Sequence, residues 1–466
     1  MRDFKPFPYQ QQMVQHVLDT PRCALFAGMG MGKTSATLCA IDGLLFSGMA
    51  KKPLVIGPLR VARSTWPNET QKWKQFAHMR CSPIVGTPDE RRRALATDAD
   101  FYTTNYENVP RLVEQLGDEW PFDMVIADES PRLKSFRTRQ GGKRAAALKH
   151  IAHEKVKRWV CLTGSPCERG LEDLWGQMWF LDEGTRLGRS YSAFENRWFG
   201  FRRVKDAVRA DKSYVERVVF PHAQAEIQEL LKDICLTLDP KDWFDLNEPI
   251  VRDVVVDLPP KARKHYREME KEMFTAFLAG DAEAFNAASK TIKCLQIASG
   301  ACYVGEDSSD WQQVHDEKLQ ALESIIAEAN GMPVLVAYHF KPDLVRLKQR
   351  FPEARHISTA RDEADFKAGR ISIALVHPQS IGHGVDGFQD VTNILVFFTR
   401  WWARGPHDQL IERIGPMRQM QSGHQRPVYV YNLVAGGTVD EDVGVSIREK
   451  RSVDEVLMAA MKRRKE

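Results

Sequence analysis

The sequence predicts an α/β protein of two tandem domains, each built on a parallel sheet and each carrying a helical insertion. Three observations lead there. Short apolar segments of strand length recur in two separate blocks, with helical-length patterns between successive segments. A glycine-rich loop directly follows the first of those segments. The chain has 466 residues, enough for roughly two to four separate cores.

The first block reads "CALFA" (23–27), "LVIG" (54–57), "FYTT" (101–104), "MVIA" (124–127) and "WVCLT" (159–163). Helices between buried strands are the mark of parallel pairing through crossovers. The second block reads "PVLVAY" (333–338), "ISIALV" (371–376), "NILVFF" (393–398) and "VYVYNLV" (428–434). Residues 170–315 between them are richer in charge and helical periodicity, with a Pro-Pro stop at 259–260. The expected domains are residues 1–240, with a helical insertion at 170–230, and residues 241–466, with a helical insertion at 258–315.

Composition narrows the class. Hydrophobic residues make up 43% and charged residues 27%, ordinary for a soluble enzyme. No apolar run approaches the roughly 18 residues that a membrane helix needs. The start, "MRDFKPFPYQQQ", lacks the apolar core of a secretory signal, so a cytoplasmic protein without membrane contact is expected. The eight cysteines form no C-x2-C pair and no zinc-spaced cluster with histidine, which reads as reduced, buried thiols. Net charge is only +4, but basic residues gather at 91–93, 131–144, 201–205 and 462–466. If those clusters line one groove they can track a phosphate backbone.

The stretch "FAGMGMGKTSAT" (26–37) carries the chemistry. Gly32-Lys33-Thr34 matches the end of the phosphate-loop pattern G-x4-G-K-[ST], while Ala27 stands where its first glycine falls. Gly28, Gly30 and Gly32 still leave the backbone free to curl and aim N–H groups at phosphate. Lys33 would neutralise the β- and γ-phosphates of ATP, and the Thr34 hydroxyl would ligate Mg²⁺. In "MVIADES", Asp128 and Glu129 end an apolar strand, where ligands gather in open α/β sheets. Asp128 would hold Mg²⁺ through water and Glu129 would orient or deprotonate the attacking water.

With these residues in place, the chain resembles superfamily 2 helicases, specifically the Snf2-like (SWI2/SNF2) DNA-dependent ATPases of compact phage or bacterial type. "PFPYQ" (6–10) looks like the adenine-reading Q motif, which gives Gln10 a role on the base. "MGMGKT" is similar to M-G-L-G-K-T, "GPLRVARSTWPNE" (57–69) to motif Ia and "TTNYE" (103–107) to motif Ib. "DESPRLK" takes the place of the D-E-x-H box, "LTGSP" (162–166) of motif III, and "GLEDLWGQMWFL" (170–181) of a family segment that follows it. Later, "DEKLQALESII" (316–326), "VLVAYHF" (334–340), "HPQSIGHGVDGF" (377–388) and "RWWARGPHDQLIERIGPMRQ" (400–419) resemble the second-domain motifs in order.

The resemblance implies two RecA-like lobes, ATP in the cleft between them, and DNA gripped by its backbone without sequence reading. Gly384 and Asp386 match the G-x-G-x-N core of motif V, and Gln409 and Arg413 match motif VI. The second arginine of R-x-x-R falls on Pro416, so Arg418, two places later, is the candidate to replace it. Arg413 and Arg418 would then act as arginine fingers, a contribution of about 10³–10⁵ in rate. Arg60, Thr104, Asn105, Lys134, Gln379, Ser380 and Trp401 are the candidate DNA contacts, and Trp198-Phe199 is the candidate wedge. The expected function is an ATP-dependent DNA helicase or translocase acting as a monomer. A non-progressive ATP switch and an RNA-dependent enzyme are the alternatives.

Overall fold

The computed structural model describes the chain except residues 29, 139–142, 168–169, 206–212, 240–241, 244–247, 280–283, 305–309, 382–385, 425 and 450–466. Its contacts divide it into two units, Met1–Asp245 and Leu246–Glu466.

The first unit contains β1 (Arg22–Ala27), β2 (Pro53–Gly57), β3 (Cys81–Ile84), β4 (Phe101–Asn105), β5 (Met124–Asp128), β6 (Arg158–Thr163), β7 (Phe199–Lys205), β8 (Ser213–Val219) and β9 (Cys235–Leu238). Seven of these form one sheet in the order β3-β4-β2-β5-β6-β1-β9, every neighbouring pair parallel. The central strands are buried throughout because helices cover both faces, which is why they read as unbroken apolar runs. One core runs from Leu54 and Val125 through Trp159 to Trp175, Phe180, Trp198 and Phe199. Phe180 stacks on Trp159 with ring centroids 4.8 Å apart, pinning the helix Glu172–Asp182 to the sheet.

The second unit contains β10 (Ile250–Val256), β11 (Ala301–Tyr303), β12 (Trp311–Gln313), β13 (Val334–Ala337), β14 (Arg355–His356), β15 (Ile373–Val376), β16 (Ile394–Phe397) and β17 (Tyr429–Ala435). Its main sheet is also all parallel, in the order β10-β17-β16-β13-β15-β14, with one apolar cluster on each face. The two-domain α/β class is therefore the observed one.

The differences from expectation are local. β3 carries Pro83 and forms the sheet edge, the place where proline is tolerated. β10 interrupts its valines with Arg252 and Asp253 and is likewise an edge strand. The stretch 170–230 is not helical alone, because β7 and β8 form a separate antiparallel ribbon inside it. All eight cysteines are free. Burial pushes the Cys23, Cys81 and Cys161 thiols up to about 12, which makes them packing residues rather than nucleophiles. Among the described residues, no helix is long and apolar enough to cross a membrane.

Candidate active site

The first unit places its phosphate loop and its acidic pair at the C-terminal ends of β1 and β5, the two strands that flank β6 in the sheet. The phosphate loop leaves β1 and feeds the helix Lys33–Phe46, whose first turn has no side-chain cap and no acidic residue. The N-terminal end of that helix, with the positive end of its dipole, is suited to an anion. Gly30 (φ +83°) and Gly32 (φ +72°) hold the left-handed conformations that form the curl. A β-carbon on Gly32 would also lie 2.2 Å from Gln10 Nε2, so the position excludes any side chain twice over.

Gln10 is buried against the loop. Its Nε2 donates to the Met31 carbonyl at 3.2 Å and its Oε1 accepts from Phe7 N–H at 3.0 Å. Both ends of the amide are thus committed to the chain's own backbone, and Gln10 braces the loop. Lys33 Nζ donates to the carbonyls of Ala27 (2.7 Å) and Gly28 (3.2 Å), keeping the ammonium at the loop. Phosphate oxygens would offer it a charged partner in place of two neutral ones.

Asp128 closes β5, next to β6, and is buried. Its Oδ2 accepts from Trp66 Nε1 at 2.9 Å and its Oδ1 from Glu129 N–H at 3.1 Å. Burial and the neighbouring Glu129 charge push its pKa up to about 6, against the Trp66 bond and the Lys33 charge, which lower it. The Lys33 ammonium is therefore within electrostatic reach of the Asp128 carboxyl. Glu129 adopts a left-handed conformation (φ +57°) that non-glycine residues seldom take. Tyr106 Oη holds that turn, donating to the Asp128 carbonyl at 2.9 Å and the Glu129 carbonyl at 3.4 Å. Strain secured by specific bonds in this way is common where a side chain must be aimed.

Behind the acidic pair, Ser130 Oγ donates to Gln177 Oε1 at 2.7 Å. Gln177 Nε2 in turn donates to Pro166 O and Asp173 O, both at 2.8 Å. The helix carrying Gln177 approaches closely because its neighbour is Gly176, where a β-carbon would lie 2.6 Å from the Leu133 carbonyl. The acidic box and the segment after β6 are thus joined through one buried amide. Trp66, Tyr106 and Gln177 are the functional residues that motif reading passed over. They lay inside segments read for other purposes, and nothing in their spacing marks them as turned toward Asp128 and Ser130.

Two of the expected DNA contacts, Thr104 and Asn105, and the expected wedge are corrected. Thr104 is 0% exposed, with its hydroxyl donated to the Ile84 carbonyl at 3.0 Å, and Asn105 is 5% exposed, with Nδ2 on Glu107 at 2.8 Å. Both close β4, which is paired on both sides by β3 and β2 and buried along its length, so neither is available to a polynucleotide. Trp198 and Phe199 are buried in the core and cannot form a wedge. Lys134 lies 3.6 Å from the Asp173 carboxylate, and Arg60 is half-buried, its guanidinium pKa lowered by desolvation.

In the second unit, Gln379 and Ser380 are exposed on the short helix Pro378–Ile381. Trp401 stacks on His339 (centroids 4.0 Å apart) and lies tilted against Trp402 (3.9 Å). Arg413 is buried near the end of the helix Arg404–Ile414, which also carries Gln409. Pro416 cannot continue that helix and instead opens a new one, Pro416–Gln421. Arg418 therefore sits on the second helix, where it pairs with Asp386. Gly384 lies outside the described residues.

The oxygen donors of Thr34 and Asp128 suit Mg²⁺, a hard cation that keeps several waters and is shared with substrate phosphates. Among the described residues no group of three or more His, Cys, Asp or Glu could cage a metal alone, so a resident metal would depend on bound phosphates.

A glycine-rich phosphate loop, a lysine and a strand-end acidic pair on an all-parallel sheet are the marks of the nucleotide-using lobe of a helicase/ATPase core. Residues 9–299 match the SNF2-related domain, and the chain belongs to that family. It is 50% identical over 467 residues to protein p41 of Acyrthosiphon pisum secondary endosymbiont phage 1, covering the whole of both chains. It is 21% identical over 453 residues to YwqA of Bacillus subtilis (strain 168), described as an ATP-dependent helicase/translocase; the match covers 92% of this chain and 46% of that protein. Among solved structures, the Pyrococcus furiosus Hef helicase domain matches 95% of this chain and 98% of its own, at 13% identity and a TM-score of 0.52, a likeness of fold.

Proposed function

We propose that the chain is an ATP-dependent DNA motor, in which hydrolysis drives movement along DNA or its unwinding. The observation that carries this reading is the Asp128–Glu129 pair, held by Trp66 and Tyr106 at a strand end within electrostatic reach of Lys33. That arrangement suits hydrolysis rather than nucleotide storage, because it aims a carboxylate as well as binding phosphate. Lys33 and the N–H groups of the loop bind the β- and γ-phosphates, and Glu129 orients the attacking water. Thr34 and, through water, Asp128 would hold Mg²⁺, which would supply charge neutralisation at the phosphates. Arg413 and Arg418 supply guanidinium groups for the charge that develops on the γ-phosphate. The exposed Gln379 and Ser380, together with Arg60 and Trp401, are proposed to meet the DNA.

The test pairs ATP turnover, with and without DNA, with two displacement assays on the same DNA. DNA-stimulated turnover with loss of the third strand of a triplex indicates a translocase; loss of an annealed strand indicates a helicase. Sustained turnover with neither displacement would reject the motor and leave an ATP switch. Comparing RNA with DNA as activator separates the RNA-dependent alternative.

A further inference from the structure

A two-stranded ribbon outside a larger sheet is marginal by itself, so one that persists needs an anchor and usually has a use. The ribbon β7–β8 pairs from Phe199↔Val219 to Lys205↔Ser213 and belongs to neither main sheet. Its base is clamped. Trp198 and Phe199 are core residues, and Trp198 Nε1 donates to Glu226 Oε2 at 3.0 Å. Arg217 donates to Tyr191 Oη (3.0 Å), Glu195 Oε1 (3.1 Å) and Glu172 Oε1 (2.9 Å), with its guanidinium over the Phe199 ring. One step beyond this clamp the chemistry reverses. Phe201, opposite Arg217 in register, is 64% exposed, and Arg202 beside it is exposed. Residues 199–219 hold six Arg or Lys against three Asp or Glu.

Successive strand residues face opposite sides of a ribbon, so Phe201 presents an exposed ring on one face and Arg202, in register with Glu216, a cation on the other; the ring suits stacking on an unpaired base and the cation a backbone phosphate. A closed duplex hides its base faces, so the matching partner is a junction where paired DNA opens into single strands. We propose that the ribbon is a DNA-junction contact, with Phe201 stacking on the first unpaired base of one strand and Arg202, on the ribbon's other face, meeting a phosphate of the other strand. This rests on the reading of the chain as a DNA motor and adds the place where it would meet a fork. The base is also tied to the nucleotide site, because Glu172, held by Arg217, lies on the helix whose Gln177 bonds Ser130 of the acidic box.

The experiment measures binding of the full chain to a forked DNA and to a blunt duplex of equal length by fluorescence anisotropy. Wild type is expected to favour the fork. Phe201→Ala is expected to weaken fork binding about tenfold and leave duplex binding unchanged, in keeping with the loss of one stacked base. Arg202→Ala is expected to lower the salt dependence of fork binding by about one phosphate contact. Phe46→Ala, at a 96% exposed position elsewhere in the unit, is the control and should alter neither. Phe201 is too exposed for its removal to unfold the chain, and matching thermal melts verify this. Fork binding by Phe201→Ala equal to wild type overturns the ribbon proposal while the motor reading stands. A wild type that binds neither DNA overturns both.

Discussion

The first unit braces its candidate loop and acidic pair with residues that lie outside both, whereas the second engages its candidate charges with one another. Gln10 braces the loop, Trp66 holds the Asp128 carboxylate, Tyr106 holds the Glu129 turn and Gln177 ties Ser130 to Pro166. In the second unit, Arg418 is paired with Asp386, which also accepts from the Gln389 amide. The difference is instructive because a site whose groups are held by third parties is preorganised for its ligand. A cation paired with a neighbouring carboxylate must instead exchange that partner before it can meet a phosphate. The first unit thus carries a braced candidate site, and the second a candidate cation already engaged by a carboxylate.

The largest expected effects break the braced site. Lys33→Ala should reduce ATP turnover to background, because the γ-phosphate loses its fixed cation; Glu129→Gln should bind nucleotide yet barely hydrolyse it. Turnover assays and fluorescent-nucleotide binding check both. Next come the guanidinium groups of the second unit. Arg413→Ala and Arg418→Ala should each lower turnover at least about tenfold if both stabilise the transition state. Asp386→Asn should sharpen the comparison by releasing Arg418. An unaffected rate in Arg418→Ala would leave Arg413 as the one finger.

Smaller effects probe the holding residues. Tyr106→Phe removes the hydroxyl that secures Glu129 and should cost about 1 kcal/mol of stability, with a severalfold drop in turnover. Chemical denaturation and steady-state kinetics measure the two. The pH response should also distinguish the units. Asp128 titrates higher folded than unfolded, so its ionisation destabilises the folded state as pH rises from about 4 through about 6. Asp128→Asn removes that dependence, so stability relative to wild type should improve over this interval, by about 3 kcal/mol at most. His339 is the opposite case: burial, with His377 beside it, lowers its pKa to about 4. Its neutral form is favoured in the fold, so stability is present above about 6.5 and is lost as pH falls toward about 4. His339→Phe keeps a ring against Trp401 and should flatten that loss, read from denaturation midpoints across the same pH range.

Much of the fold was legible. All nine apolar segments named from patterning became strands of the two main sheets, because a strand buried on both faces must be apolar at every position. The edge strands β3, β9, β10 and β14 were missed, since an edge tolerates Pro83, Thr237 or Arg252 and so loses the signal. The phosphate loop and acidic pair were legible for a related reason: close backbone approach demands glycine, and metal and water chemistry demand carboxylate. Thr104 and Asn105 misled because a motif letter does not say which way a strand residue points.

Residue order alone therefore determined the class and the family, and singled out the groups proposed to meet a triphosphate, because that chemistry is one few side chains can perform. The folded chain decided which tryptophan reaches Asp128, that Gln177 bridges Ser130 to Pro166, and that Pro416 moves Arg418 to a second helix facing Asp386. Such contacts join positions up to 62 residues apart, as between Trp66 and Asp128, and their geometry exists only once the sheet has set its strand order.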